Sequence, residues 1–210
     1  SVGGTINVIS RKPDNQFRAK VQGTIGNYDR QVLEGFISGP VSGDLLSASI
    51  SMMRSKRDGY FKNIIASGND RGSDDSWSVR GQLRATPNDS LEVLLRADYL
   101  EDQGIPSGNQ ALLLPFIPVP GGPENPQTAA IRGDWHKVAL DVPSTFDRKL
   151  SGVSGEVTYE FSDSMVLKSL TAYRTSKTNA AGDTDATDLN RQVTGLFENQ
   201  DQLSQELNLS

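Results

Sequence analysis

Apolar and polar residues alternate one by one through most of this chain, and that period limits its folding more than any other feature. In WSVRGQLRAT, Trp77, Val79, Gly81, Leu83 and Ala85 fall on one side, and Ser78, Arg80, Gln82 and Arg84 on the other. LEVLLRADY sets Leu91, Val93, Leu95, Ala97 and Tyr99 against Glu92, Leu94, Arg96 and Asp98. VSGEVTYEF sets Val153, Gly155, Val157, Tyr159 and Phe161 against Ser154, Glu156, Thr158 and Glu160. LLSASISM does the same with Leu46, Ala48, Ile50 and Met52 against three serines. Side chains of a strand point alternately to its two faces, so these segments read as strands of a sheet with one apolar and one polar face. FRAKVQGTI and MVLKSLTAYR fit more loosely. RQVLEGFIS is ambiguous, because Val32 and Phe36 share a face with Glu34. No segment has a convincing helical period.

The connections alternate as well. Tight turns are expected at Ser42-Gly43-Asp44, Pro87-Asn88-Asp89-Ser90 and Ser162-Asp163-Ser164, all built from residues that favour turns for steric and hydrogen-bonding reasons. Between them lie long connections, roughly residues 57–75, 101–147 and 176–195. Consecutive antiparallel strands send alternate connections to opposite ends, so the tight turns belong at one end of the sheet and the long loops at the other. Loops beyond about 12 to 15 residues are uncommon in compact domains and usually functional. A soluble β-sandwich accounts for one such loop, but hardly for three in strict alternation. A transmembrane barrel accounts for all of them, with a lipid-facing apolar stripe, a polar interior and amphipathic segments of about nine to eleven residues. The expected fold is therefore all-β, an antiparallel up-and-down meander.

Composition agrees by exclusion. The chain has 210 residues, no cysteine and a net charge of -5. That rules out a disulfide scaffold, a thiolate metal site and a Cys nucleophile, and it argues against a nucleic-acid partner, which needs clustered Lys and Arg. The longest apolar run, ALLLPFIPVP from Ala111, is broken by three prolines and is far short of a membrane helix. Mean hydropathy is -0.45, but barrel strands are apolar only at alternate positions and barely register on such a scale.

The opening stretch, VGGTINVISRKP, resembles the segment that closes the plug domain of TonB-dependent outer-membrane receptors, through Gly3, Gly4, Ile6, Asn7, Val8, Ile9, Lys12 and Pro13. LEGFISGPV, LKSLTAYR and the terminal SQELNLS are also similar to that family, in the same order. The resemblance implies part of a 22-stranded transmembrane β-barrel. On that template residues 1–13 end the plug and residues 14–210 supply about the first eight strands, beginning near Phe17 to Ile25. The sheet is then expected to stay open, with the chain stopping inside strand eight. The signal peptide, TonB box and most of the plug are expected to lie outside this stretch. The resemblance also implies uptake of a scarce nutrient, a ferric siderophore first among candidates, energised by TonB through the plug. Outer-membrane lipid and lipopolysaccharide would surround the barrel, and no cofactor is implied. The alternatives are a barrel lipase or protease and a secreted β-sandwich binding module.

No catalytic constellation is visible. IRGDWHK, in the longest loop, brings Arg132, Trp135 and the only histidine, His136, close together. Such a set could contact an anionic or aromatic ligand, but a solvated or loop-packing role is the simpler reading. DTDATD offers Asp183, Asp185 and Asp188 but lacks the glycine and distal glutamate of a calcium loop, so a hydrated acidic loop is the simpler reading. Arg80, Arg84, Arg96, Lys168 and Arg174 share the polar faces with Glu92, Asp98, Glu156 and Glu160, as an ion-paired wall facing water would.

Overall fold

The computed structural model describes residues 10–106, 134, 136–162, 164–184 and 192–210. All regular structure among them is β. The strands are β1 (Arg18–Gly26), β2 (Arg30–Ser42), β3 (Leu46–Arg57), β4 (Lys62–Asn63), β5 (Asp74–Asn88), β6 (Leu91–Asp102), β7 (Lys137–Val138), β8 (Thr145–Ser162), β9 (Met165–Asp183) and β10 (Val193–Leu209). Eight of them form one sheet in the order β1-β2-β3-β5-β6-β8-β9-β10. Every neighbouring pair is antiparallel. The two short strands, β4 and β7, pair with each other in parallel, outside that sheet. The main sheet is a plain meander with no crossover. It is open, since β1 and β10 each have a partner on one side only among the described residues.

The three tight turns gather at one end, as expected. Gly43 occupies the left-handed region (φ 49°) between β2 and β3, a conformation that favours glycine. Asn88 pairs with Leu91, and the Asn88 carboxamide oxygen accepts the Ser90 N–H at 3.0 Å. Each turn follows a register irregularity in its first strand, at Pro40/Ser42, Ala85/Asn88 and Glu160/Ser162. Pro40 and Pro87 sit at two of these, where a missing ladder donor costs least.

At the other end the strands run further than the sequence suggested. β8, β9 and β10 have 18, 19 and 17 residues, not nine to eleven. β9 and β10 stay paired up to Asp183↔Val193, so the connection expected over residues 176–195 shrinks to residues 184–192. At about 3.4 Å per residue β9 is about 65 Å long, twice a bilayer's hydrocarbon thickness. Its outer half, TSKTNAAGD, has no apolar stripe because nothing there faces lipid. The ladder persists while the periodic signal disappears.

The register sets one continuous apolar face. Leu91, Val93 and Leu95 of β6 oppose Tyr159, Val157 and Gly155 of β8, while Leu83 opposes Leu95 and Ile50 opposes Gly81. Among the described residues no second sheet covers this face. Ile50, Leu95 and Phe161 are each about half exposed, and Leu207 is 67% exposed. Among the described residues the buried apolar side chains are only Pro13, Leu94, Val138, Ala139 and Leu140, which is no core for a soluble sheet of this size. The unpaired side is shaped for hydrocarbon. Aromatic pairs mark both margins of the band: Tyr159 and Phe161, 4.7 Å apart near the tight turns, and Trp77 and Tyr99, 4.9 Å apart towards the long loops. From Leu91, opposite Tyr159, to Tyr99 is eight residues, about 27 Å of strand before tilt. The ambiguous β2 resolves with Leu33 and Ile37 on the apolar face, 58% and 45% exposed, and Phe36 and Glu34 on the other.

Leu95, midway between the girdles, tests the assignment of faces. Leu95→Arg should cost about 2–4 kcal/mol of folding free energy into vesicles. Gln22→Arg, on the inner face opposite Glu34, should stay within about 0.5 kcal/mol. Equilibrium denaturant titration of the protein folded into phosphatidylcholine vesicles reads both.

Candidate functional site

Two constructions occupy the faces and ends that lipid does not. The first is on the polar face. Glu92 of β6 takes both the Nε and an Nη of Arg84, at 2.7 and 2.6 Å. Glu156 of β8, its side chain only 5% exposed, meets Arg96 at 2.9 Å and Lys168 at 3.1 Å. A buried carboxylate needs this much company, because its desolvation would otherwise expel it or protonate it. Lys12 bridges the two sites, touching Glu92 and lying 3.4 Å from Glu156. The flanking main chain is pinned too: Arg80 donates to Ser10 Oγ at 2.8 Å and Gln82 donates to the Arg11 carbonyl at 3.1 Å. Pro13 and Leu94 are fully buried in the same region. Residues 10–13 thus form a strap lying across the inner face of β5, β6 and β8. Lys12 and Pro13 of the sequence motif are in it; Gly3, Gly4, Ile6, Asn7, Val8 and Ile9 lie outside the described residues.

Past the strap, the chain crosses to β1 through an Asp-centred turn. The Asp14 carboxylate accepts from the Arg18 guanidinium and from the Gln16 N–H at 3.0 Å. These bonds, Arg18's above all, hold its pKa down at about 2, against an ordinary 3.8. Asn15 reaches the Asp44 carboxylate at 2.7 Å, tying the crossing to the β2–β3 turn.

The second construction is at the opposite end. Loop residues 58–73 and 136–144 join through the β4–β7 bridge, where the Lys62 N–H meets the His136 carbonyl at 2.7 Å. Phe61 packs on buried Val138 and Leu140. The Asn63 side chain serves both loops, donating to the Leu140 carbonyl at 2.8 Å and accepting the Leu140 N–H at 3.2 Å. Asn69 and Ser144 exchange two bonds, 2.8 and 2.9 Å. Arg71, 4% exposed, donates to Ser144 Oγ. Its burial pushes the guanidinium below its ordinary pKa, with Asp183 acting the other way. Gly72 has φ 76°, and a Cβ there would sit 2.4 Å from the Tyr60 ring, so only glycine fits. Tyr60 lies edge-on to Tyr28, and the Asp58 N–H bonds the Tyr28 carbonyl at 2.8 Å. That contact supports the left-handed Tyr28 and Asp29 of the β1–β2 turn (φ 60° and 50°).

His136 is at the edge of this unit, its side chain exposed and its main chain in the bridge. Its N–H bonds the Asp134 carboxylate at 3.0 Å. Arg132 and Trp135 lie outside the described residues. Asp183 ends β9, buried; Asp185 and Asp188 lie outside the described residues. Asn63, Asn69, Arg71 and Ser144 escaped sequence reasoning, since loop residues that meet across 70 positions leave no local pattern.

Two outcomes follow. Glu156→Gln leaves Lys12, Arg96 and Lys168 around a neutral amide and should cost about 3 kcal/mol. Arg84→Gln should cost under about 1 kcal/mol, because Arg84 is partly exposed and Glu92 keeps Lys12; denaturant titration compares them. The lowered pKa makes Asp14 stabilising above its unfolded value near 3.8, and the contribution disappears as pH falls towards 2. Thermal unfolding should therefore separate Asp14→Asn from wild type at pH 5 to 7, with the curves converging as pH falls to about 2.

No family model matches the chain. Over 87 residues, 41% of this chain, it is 29% identical to the pesticin receptor of Yersinia enterocolitica and of Yersinia pestis. That stretch spans 13% of the receptor's own length. Among solved structures, the ferric yersiniabactin uptake receptor FyuA of Yersinia pestis superposes with a TM-score of 0.74, at 17% identity, over 94% of this chain and 28% of its own. FpvA of P. aeruginosa, solved with a heterologous ferric pyoverdine, superposes with a TM-score of 0.67, at 13% identity, over 95% of this chain and 25% of its own. The chain is thus an open, eight-stranded section with the barrel fold of TonB-dependent outer-membrane receptors.

Proposed function

We propose that this chain is part of a receptor in the outer membrane of a Gram-negative bacterium that captures a ferric siderophore and passes it inward. One observation carries the reading: a sheet apolar and uncovered on one face, ion-paired on the other, with two of its long loops joined at one end. That is a wall between lipid and an aqueous lumen, with a capture surface on top. The similar proteins named above include a ferric yersiniabactin uptake receptor and a pyoverdine-bound receptor, and they are receptors and transporters rather than enzymes. Residues 1–13 close a plug that occludes the lumen, the strap being its attachment to the wall. TonB acts on that plug from the inner membrane, through a segment upstream. Lipid and lipopolysaccharide cover the apolar face. Arg132, Trp135 and His136, on the loop that docks through β7, are the candidate ligand contacts.

The test is uptake of radiolabelled iron by an Escherichia coli strain stripped of its own siderophore receptors and expressing the full-length receptor, with and without TonB. At least one of a panel of ferric catecholate, hydroxamate and mixed siderophores should enter only when TonB is present; no TonB-dependent uptake from the whole panel would refute the reading. Asn63→Ala removes the bonds that hold the two loops in register. It should weaken binding of the transported siderophore about tenfold, the size of one or two lost hydrogen bonds, while the heat-modifiable gel shift of the barrel stays intact.

A further inference from the structure

At the long-loop margin of the apolar face, two lysines oppose each other. One ladder row crosses the sheet from Arg54 through Trp77, Glu101 and Lys149 to Lys177. Unbroken register keeps this row on the face that carries Leu95, Val153 and Tyr173. Most of its charges are matched. Arg54 pairs with Asp75. Glu101 takes Lys149 at 3.2 Å and also accepts from the Trp77 indole, the Tyr99 hydroxyl and Gln103. Asp147 lies 3.6 Å from Lys149, and Asp201 accepts the Tyr173 hydroxyl at 3.1 Å. Lys177 is exposed and has no ion pair among the described residues. It stands directly opposite Lys149, an arrangement of like charges that weakens a ladder. An anion between the two ammoniums turns that repulsion into two ion pairs.

The surface below the lysines says what kind of anion. From the hydrocarbon upward, the outward pairs of β8 and β9 are Val153↔Tyr173, Ser151↔Thr175 and Lys149↔Lys177. The first pair is apolar and about half exposed. The second joins hydroxyl to hydroxyl at 2.8 Å. The third is cationic. Over about 14 Å of strand the wall thus passes from apolar to hydroxyl-lined to positively charged. A phosphorylated glycolipid has the same order along its length: acyl chain, sugar, phosphate.

We propose that Lys149, Lys177, Ser151 and Thr175 form a binding site for lipopolysaccharide, with a lipid A phosphate held between the two ammoniums and the sugar against the hydroxyls. Each ammonium has three donors and the phosphate oxygens only accept, so the match is one of hydrogen bonding as well as charge. A phosphate monoester carries up to two negative charges, one for each lysine, whereas the diester of a phospholipid carries one. The acyl chains then descend over Val153 and Tyr173. The site rests on the outer-membrane placement proposed above and is independent of what the receptor carries.

Native mass spectrometry of the full-length receptor, folded in detergent and titrated with deep-rough lipopolysaccharide, tests the site. Lys149→Gln and Lys177→Gln should each weaken binding about fivefold, and together about thirtyfold. Lys56→Gln is the control. It removes the same charge from an exposed outward position on β3, four ladder steps from Lys177, and should leave binding unchanged. Lipopolysaccharide stripped of its phosphates should bind the wild type as weakly as the intact lipid binds the double variant, and phosphatidylglycerol should bind weakly too. Undiminished binding by the double variant, an equal loss from Lys56→Gln, or equal affinity for the stripped lipid would overturn the proposal. Phosphatidylglycerol bound as tightly as lipopolysaccharide would overturn the assignment to lipid A. The heat-modifiable gel shift and iron uptake are read on the same variants. A double variant that folds, imports iron and keeps its lipid sinks this site and leaves the transport reading standing.

Discussion

The antiparallel ladder is the interaction on which everything else in this protein depends. In hydrocarbon an unpaired backbone N–H or C=O costs several kcal/mol, because no water is there to take it. The sheet meets that demand by pairing each of its eight strands with the next of them in chain order, from β1 to β10. It needs no opposing layer, and accordingly almost no apolar side chain is buried in protein. The same demand makes the outer edges of β1 and β10 places where a further strand has to pair if the sheet is to sit in a membrane. Openness and a lipid-facing surface thus point the same way, towards a wide barrel of which this sheet is a section.

With packing against a second layer absent, the inner face is ordered by charge. Glu156 is nearly inaccessible and is held by Arg96, Lys168 and Lys12; Glu92 is shared by Arg84 and Lys12. Low local dielectric makes such contacts strong and makes any missing partner expensive. Lys12 joins both carboxylates from a different stretch of chain, so the strap is part of the wall's charge balance rather than an appendage. Leu94, the one fully buried residue of β6, sits in the row of that lattice between Arg84 and Glu156. Polar and apolar contacts here act together.

The loop end is organised differently. Its small core of Phe61, Val138 and Leu140 is surrounded by asparagine bonds that join positions 77 residues apart. Gly72 allows Tyr60 to close over it and touch the β1–β2 turn. This cross-bracing holds in fixed relative positions two loops that would otherwise be independent.

The alternation of residues by itself determined the faces, the meander and the end at which the tight turns lie, because a two-residue period and short turn sequences are local properties that no distant contact can easily override. It also placed Arg84, Arg96, Glu92 and Glu156 on one side, though not their pairing, which depends on register. Only the tertiary structure decided the rest. It lengthened β8, β9 and β10 beyond the membrane, where ladder bonds continue but no lipid imposes a pattern. It set Phe36 on the inner face, where the mixed periods of β2 left the choice open. It brought Lys12 to Glu92 and Glu156 across 80 and 144 positions, and Asn63 to Leu140 across 77. Contacts of that separation are fixed by strand order and register summed over the whole sheet, and no stretch of sequence carries them alone.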